Sequence, residues 1–189
     1  MPASAVGIAN RALQKLGSRR ISALTQDHPN ARSMNAAYER VRDAELRRYD
    51  WSFAIKRASV AADAADPVWG DWYRYSLPND FIGLIRDDET NIGVDWKIEG
   101  LYILSKDASP LEFRYVARIT DPNFYDALFI ESFACRLALE CVKEIADSAS
   151  DKESLKDDYD KSIAEAKRRG AIEKGSQEFP EDTWITARL

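Results

Sequence analysis

Apolar positions follow a helical rhythm at both ends of this chain and an alternating one in its middle. From Ser4 to Leu16, the residues Ile8, Ala9, Ala12, Leu13 and Leu16 recur at helical spacing, and Gly17 supplies a stop. Ser18 to Gln26 reads as a connector. Asp27 and Pro29 open a second helix, since proline is tolerated where backbone N–H groups lack partners anyway. Met34, Ala37, Tyr38, Val41 and Ala44 make its apolar stripe, which runs to about Tyr49.

Period 2 takes over at Trp51. Trp51, Phe53 and Ile55 alternate with Ser52, Ala54 and Lys56, as a strand or an extended lead into one. "WYRYSL", "FIGLIRD", "VDWKIEG", "LYILS" and "LEFRYVARI" follow as short strands, and Pro78 ends pairing after the first of these. Glu99-Gly100 is short enough for a tight hairpin between Val94–Ile98 and Leu101–Leu104. The middle third is therefore predicted as one small antiparallel sheet of four to six strands.

Helices return at Asp121, an N-cap residue followed by Pro122. The helix predicted from there to about Asp147 is apolar nearly all round, which places it centrally. Ser150-Asp151-Lys152-Glu153 forms a capping box for a last helix, with Leu155, Tyr159, Ile163 and Ala166 on one stripe. Lys167, Arg168 and Arg169 before Gly170 read as its C-terminus. The expected fold class is mainly α (α+β): a four-helix bundle with a small antiparallel β-sheet inserted between helices 2 and 3. Residues 1–170 form a single domain, with helices in 1–50 and 121–170 and the insertion at 51–120. Residues 171–189 form an extended C-terminal tail.

Composition narrows the function. A chain of 189 residues suits one domain, and a net charge of −5 gives no reason to expect tight binding to a nucleic-acid backbone. Cys135 and Cys141 lie six apart on a predicted helix, so they face different ways and read as buried free thiols of a reducing compartment. No basic segment followed by an apolar run marks the N-terminus, and no apolar run spans a bilayer, so a soluble protein made in a cytoplasm is expected. No phosphate-loop, dinucleotide, nucleophile-elbow or zinc-protease motif occurs, and the lone His28 sits beside Pro29 at a helix start. Neither a metal nor a cofactor is expected. Asp87, Asp88, Glu89, Asp95 and Glu99 could supply the carboxylate pair of a glycoside hydrolase, but their places at turns favour solvated charge.

Two clusters and the tail remain. Arg40, Arg42, Arg47 and Arg48, with Arg19 and Arg20, could contact phosphates, but Glu39, Asp43, Glu45 and Asp50 are interleaved with them. That mixture suits surface or subunit ion pairs better, which makes Arg40, Arg47 and Arg48 interface candidates. In "WGDWYRYSLPNDFI", a strand would put Trp72 and Arg74 on one face and Tyr73 and Tyr75 on the other. A base-stacking platform needs its aromatics on one face. The split predicts one face against the helices and one toward another surface, and adds Trp69, Trp72 and Tyr73 to the interface candidates. The polar tail carries Phe179, Trp184, Ile185 and Arg188; large side chains on an ordering segment are how a chain docks on a partner.

The whole chain resembles the head-to-tail adaptors of short-tailed bacteriophages, the family called tail tubular protein A or tail accessory factor. The resemblance rests on Leu16-Gly17, on Tyr38, Arg42, Leu46, Tyr49, Trp51, Phe53 and Ala54, and on Tyr75, Leu77, Pro78, Asp80 and Phe81. It implies a structural protein of the virion neck, not an enzyme. Such a subunit forms a ring, commonly a dodecamer, under the portal protein, extends the DNA channel without sequence-specific binding, and presents a surface to a further tail protein. It implies docking of the C-terminal segment on the portal, and assembly from the host cytoplasm into the virion without a membrane. The competing readings are a cell-wall glycoside hydrolase carried by the tail and a DNA-contacting helical module.

Overall fold

A computed structural model describes residues 3–65, 67–85, 92, 95–146 and 149–173. Helix α1 spans Ala5–Lys15, and the Ser4 hydroxyl accepts from the Gly7 N–H at its start. Gly17 adopts a φ of 63° just past its end, the left-handed geometry that suits a helix stop. Helix α2 spans Pro29–Arg48. Its cap is His28, whose Nδ1 accepts from the Asn30 N–H at 3.2 Å, so the lone histidine has a structural task. A short 3₁₀ turn, Ser52–Ala54, leads from α2 into the strands.

The strands are β1 (Ile55–Val60), β2 (Tyr73–Ser76), β3 (Phe81–Leu84), β4 (Trp96–Glu99), β5 (Tyr102–Ser105) and β6 (Leu111–Ala117). They do not make one sheet. β6 pairs antiparallel with β1 and β3, and β5 pairs antiparallel with β2 and β4. The expectation of a four-helix bundle with a single inserted sheet is corrected here: two three-stranded sheets stand between α2 and α3 in the chain.

The reason lies in β6. Leu111, Phe113, Tyr115 and Ala117 point to one side and are buried with Tyr75 of β2 and Ile103 of β5. That apolar layer between the two sheets is a core of its own. Val116, on the opposite side of β6, joins the larger core under the helices. The buried face of "WYRYSL" therefore looks at the first sheet rather than at the helices. Gly100, at a φ of 61°, makes the tight turn between β4 and β5, where Glu99 pairs with Tyr102.

Helix α3 spans Ala127–Ile145 and α4 spans Ala149–Glu173. The predicted start at Asp121-Pro122 opens only a 3₁₀ turn, Pro122–Phe124, and Asp126 caps α3 instead by accepting from the Leu128 and Phe129 N–H groups. That interruption brings Tyr125 against Phe53 and Phe129, with ring centroids 5.7 and 4.9 Å apart. Helix α3 packs against α1, α2 and α4, as its nearly all-round apolar sequence predicts. Phe129 and Phe133 have no exposed surface, and Trp51 meets Phe129 edge to face at 5.0 Å.

Gly170 does not end the last helix, which continues to Glu173. A Cβ at Gly170 would lie 2.5 Å from the Tyr49 hydroxyl, so the glycine admits the tyrosine against the helix. Leu155, Tyr159, Ile163 and Ala166 are buried, as their spacing predicts. Ser150, on which the predicted capping box rests, has its side chain outside the described residues. No helix among the described residues is long and apolar enough to cross a membrane.

Candidate interaction surface

Strand alternation and one glycine build the outer surface of the second sheet. Arg74, Ser76, Tyr102, Leu104, Lys97 and Glu99 share its outward face through the registers of β2, β5 and β4. The Arg74 guanidinium lies 4.6 Å from the Tyr102 ring centre and its Nε donates to Asp63 at 3.0 Å. Gly70 has a φ of 89°, and a Cβ there would strike the Trp72 ring at 2.7 Å. The glycine thus allows the turn that folds the segment 67–70 beside Trp72. The ammonium groups of Lys97 and Lys106 each stand 5.3 Å from the Trp72 ring centre. Pro67, Val68 and Trp69 then wall a cleft of about 230 Å³ over Arg74, Lys97 and Tyr102.

This end of the molecule is where apolar surface remains exposed. Val68, Trp69, Tyr73, Ile98 and Leu101 are five of the seven exposed large apolar side chains among the described residues, with Trp69 83% exposed. Arg74 and Lys97 line the cleft beside Val68 and Trp69. Of the predicted interface residues, Trp69 and Trp72 border the cleft face with Arg74 and Lys97, whereas Tyr73 is exposed at the margin of the opposite face, beside Tyr75. Lys97, Ile98, Leu101, Tyr102 and Lys106 join them from a hairpin distant in sequence.

The arginines of α2 sit elsewhere and are engaged within the chain. Arg40 binds Glu140 of α3 at 2.7 Å. Arg47 donates to the Ile82 carbonyl of β3. Arg48 lies 5.3 Å from the centre of the Tyr159 ring on α4, with its Nε 3.9 Å from Glu45. Arg42 is buried and donates to Asp43, which also receives Arg118. Each therefore ties α2 to a neighbouring element or to its own helix. Phe179, Trp184, Ile185 and Arg188 lie outside the described residues, as do Asp87, Asp88 and Glu89.

Of the acids named as a possible catalytic pair, the two among the described residues are each engaged with a lysine. Asp95 pairs with Lys106 at 3.1 Å and Glu99 with Lys97 at 2.6 Å. Glu45, read from the sequence as a surface or subunit ion-pair partner of the α2 arginines, is buried instead. It is 1% exposed, its two oxygens accept from the Tyr159 hydroxyl at 3.1 and 3.0 Å, and burial raises its pKa. Among the described residues no group of three or more His, Cys, Asp or Glu side chains is placed to hold a metal ion. Cys135 and Cys141 are buried free thiols, and burial pushes Cys141 up to about 11, so neither is poised as a nucleophile.

The "Y-x-L-P-x-D-F" residues are accounted for by packing. Asp80 accepts from Lys56 at 2.7 Å and from the Tyr115 hydroxyl at 2.9 Å, which joins the lead into β3 to β1 and β6. Phe81 stacks on Tyr115 at 5.9 Å, and the Tyr75 hydroxyl donates to the Asp107 carbonyl at 2.6 Å. Searched against models of protein families and against curated proteins, the chain gives no match.

Proposed function

We propose that this protein is a structural head-to-tail adaptor of a short-tailed bacteriophage, forming a ring under the portal protein, extending the DNA channel and carrying the tail. The observation that supports it most is the distribution of exposed apolar surface. Of the large apolar side chains exposed among the described residues, Val68, Trp69, Tyr73, Ile98 and Leu101 belong to the second sheet and the segment leading into it. Such a patch serves binding between proteins rather than chemistry on a small substrate. The resemblance in "Y-x-L-P-x-D-F" and in the Tyr49-to-Ala54 segment supports the same reading.

In this reading the second sheet meets the next tail protein through Trp69, Trp72 and Tyr73. The segment 171–189 docks on the portal with Phe179, Trp184, Ile185 and Arg188. A ring of linked contacts gains its hold by avidity, even where each one is modest. The net charge of −5 disfavours retention of passing DNA.

Mass photometry tests this. Mixed with purified portal rings, the full chain should form a discrete ring-on-ring complex that is lost on deleting 171–189. A chain that leaves the portal rings unchanged in mass would refute the adaptor reading.

A further inference from the structure

Helices α2, α3 and α4 enclose a second cleft, of about 390 Å³, on the side of the molecule built by the helices. Its wall carries four cations: Arg48 of α2, Arg136 of α3, and Lys152 and Lys156 of α4. The acids of the wall are Glu140 and Asp160, and Glu140 is already bound by Arg40. Counting Arg40 and the buried Glu45, five cations meet three acids here, in a chain whose overall charge is −5. The concentration of positive charge is local and runs against the net charge.

The donors are also under-used. Arg136 is half-buried, and it forms no ion pair or hydrogen bond among the described residues; nor do Lys152 and Lys156. A guanidinium has five N–H donors in a planar fork, and one that feels the Glu45 charge but donates to no acceptor suits an incoming oxyanion. Lys152 and Lys156 stand one helical turn apart on the same side of α4. Arg48 is held in place by the Tyr159 ring beneath it, so its position does not have to be organised on binding. Glu45, which accepts from the Tyr159 hydroxyl and lies 3.9 Å from the Arg48 Nε, is a buried counter-charge behind this wall, and Lys152 and Lys156 stand on the exposed side of it.

We propose that this cleft is a binding site for a phosphate-class oxyanion, with Arg136 as the forked contact and Arg48, Lys152 and Lys156 around it. The inference stands on these side chains and is independent of the adaptor reading. The ligand is either a free polyphosphate or the phosphodiester backbone of a nucleic acid, two sources of one chemistry.

Calorimetric titration of the full chain with tripolyphosphate, and anisotropy of a short labelled DNA duplex at the same salt, separate them. Saturable binding is expected for at least one probe, weakened about tenfold or more by Arg136→Gln, as loss of a charge-assisted contact requires. Lys152→Gln and Lys156→Gln, both on exposed positions, should weaken it without lowering the melting temperature. Arg19→Gln and Arg20→Gln, on the exposed connector after α1, should leave it unchanged. Duplex binding that tripolyphosphate displaces identifies the backbone as the source; tripolyphosphate binding alone identifies a free anion. Absence of saturable binding by both probes, or binding indifferent to Arg136→Gln and Lys156→Gln, overturns the proposal.

Discussion

The Tyr159 hydroxyl of α4 donates to the Glu45 carboxylate of α2, 3.0 Å away and buried from solvent. Burial raises the Glu45 pKa, against the Tyr159 bond and the nearby Arg48 and Arg136 charges, which lower it. A raised carboxylate pKa means that the folded state binds the proton more tightly than the unfolded one. The contribution of Glu45 to stability is therefore full below its unfolded pKa and is lost as pH rises through its folded pKa. Glu45→Gln, which keeps the hydrogen bond and removes the charge, should melt no lower than the native chain at neutral pH. Its advantage should shrink toward about pH 4, the ordinary range of a glutamate. Thermal melts across that range check this, and a variant that melts lower at neutral pH contradicts it.

Asp80 has the opposite sign. Burial raises its pKa, but the Lys56 ammonium and the Tyr115 hydroxyl outweigh this and hold it below the usual value. Its stabilisation is present above the unfolded pKa and lost as pH falls through the folded one. Asp80→Asn should thus melt below the native chain at neutral pH, with the gap closing below about pH 4. A gap that persists in acid would mean that Lys56 and Tyr115 do not act through the charge.

Gly170 and Tyr49 should be coupled. An exposed helical glycine replaced by alanine ordinarily stabilises by about 1 kcal/mol. Here the new Cβ meets the Tyr49 hydroxyl at 2.5 Å and the ring edge at 3.0 Å. Gly170→Ala should destabilise the native chain and stabilise a Tyr49→Ala chain. Urea unfolding of the four members of this cycle reads the reversal, and additivity would refute the close approach.

Phe129 is the hub of the aromatic cluster, in ring contact with Trp51, Phe53, Tyr125 and Phe133. Phe129→Ala should cost about 3–5 kcal/mol, the range of buried aromatic truncations. Phe124, 67% exposed and only five residues away, should change stability by less than about 0.5 kcal/mol on replacement by alanine. Equal effects in denaturant titrations would show that the cluster does not organise the core.

At the second sheet, Trp69→Ala and Leu101→Ser remove exposed apolar surface without touching either core. Both variants should keep the native melting temperature; under the adaptor proposal they should also still bind portal rings but fail to recruit the next tail protein in mass photometry. A drop in melting temperature would mean that the patch belongs to the fold.

What the sequence determined by itself is local. Ser4 and Gly17 bound α1, Pro29 opens α2, Gly100 turns the β4–β5 hairpin, and the stripe from Leu155 to Ala166 sets the buried side of α4. Caps, turns and periodicity act within a few residues, so they are legible from neighbours alone. The split of Trp72 and Tyr73 between two faces of β2 was legible for the same reason. The tertiary structure decided everything that required distant partners. Alternation marks β6 as a strand but does not say that it pairs with β1 and β3 and leaves β2, β4 and β5 to a second sheet. Asp121 and Asp126 are equivalent caps locally, and the fit of Tyr125 against Phe53 and Phe129 accompanies the choice of the second. Gly170 looks like a helix end until Tyr49 arrives beside it. The sequence offers the α2 arginines only ion pairs with interleaved acids; the fold adds Glu140, Ile82 and Tyr159 as partners within the chain. Contacts between residues far apart in the chain carry no signature in a local pattern, because packing selects them only after the elements have formed.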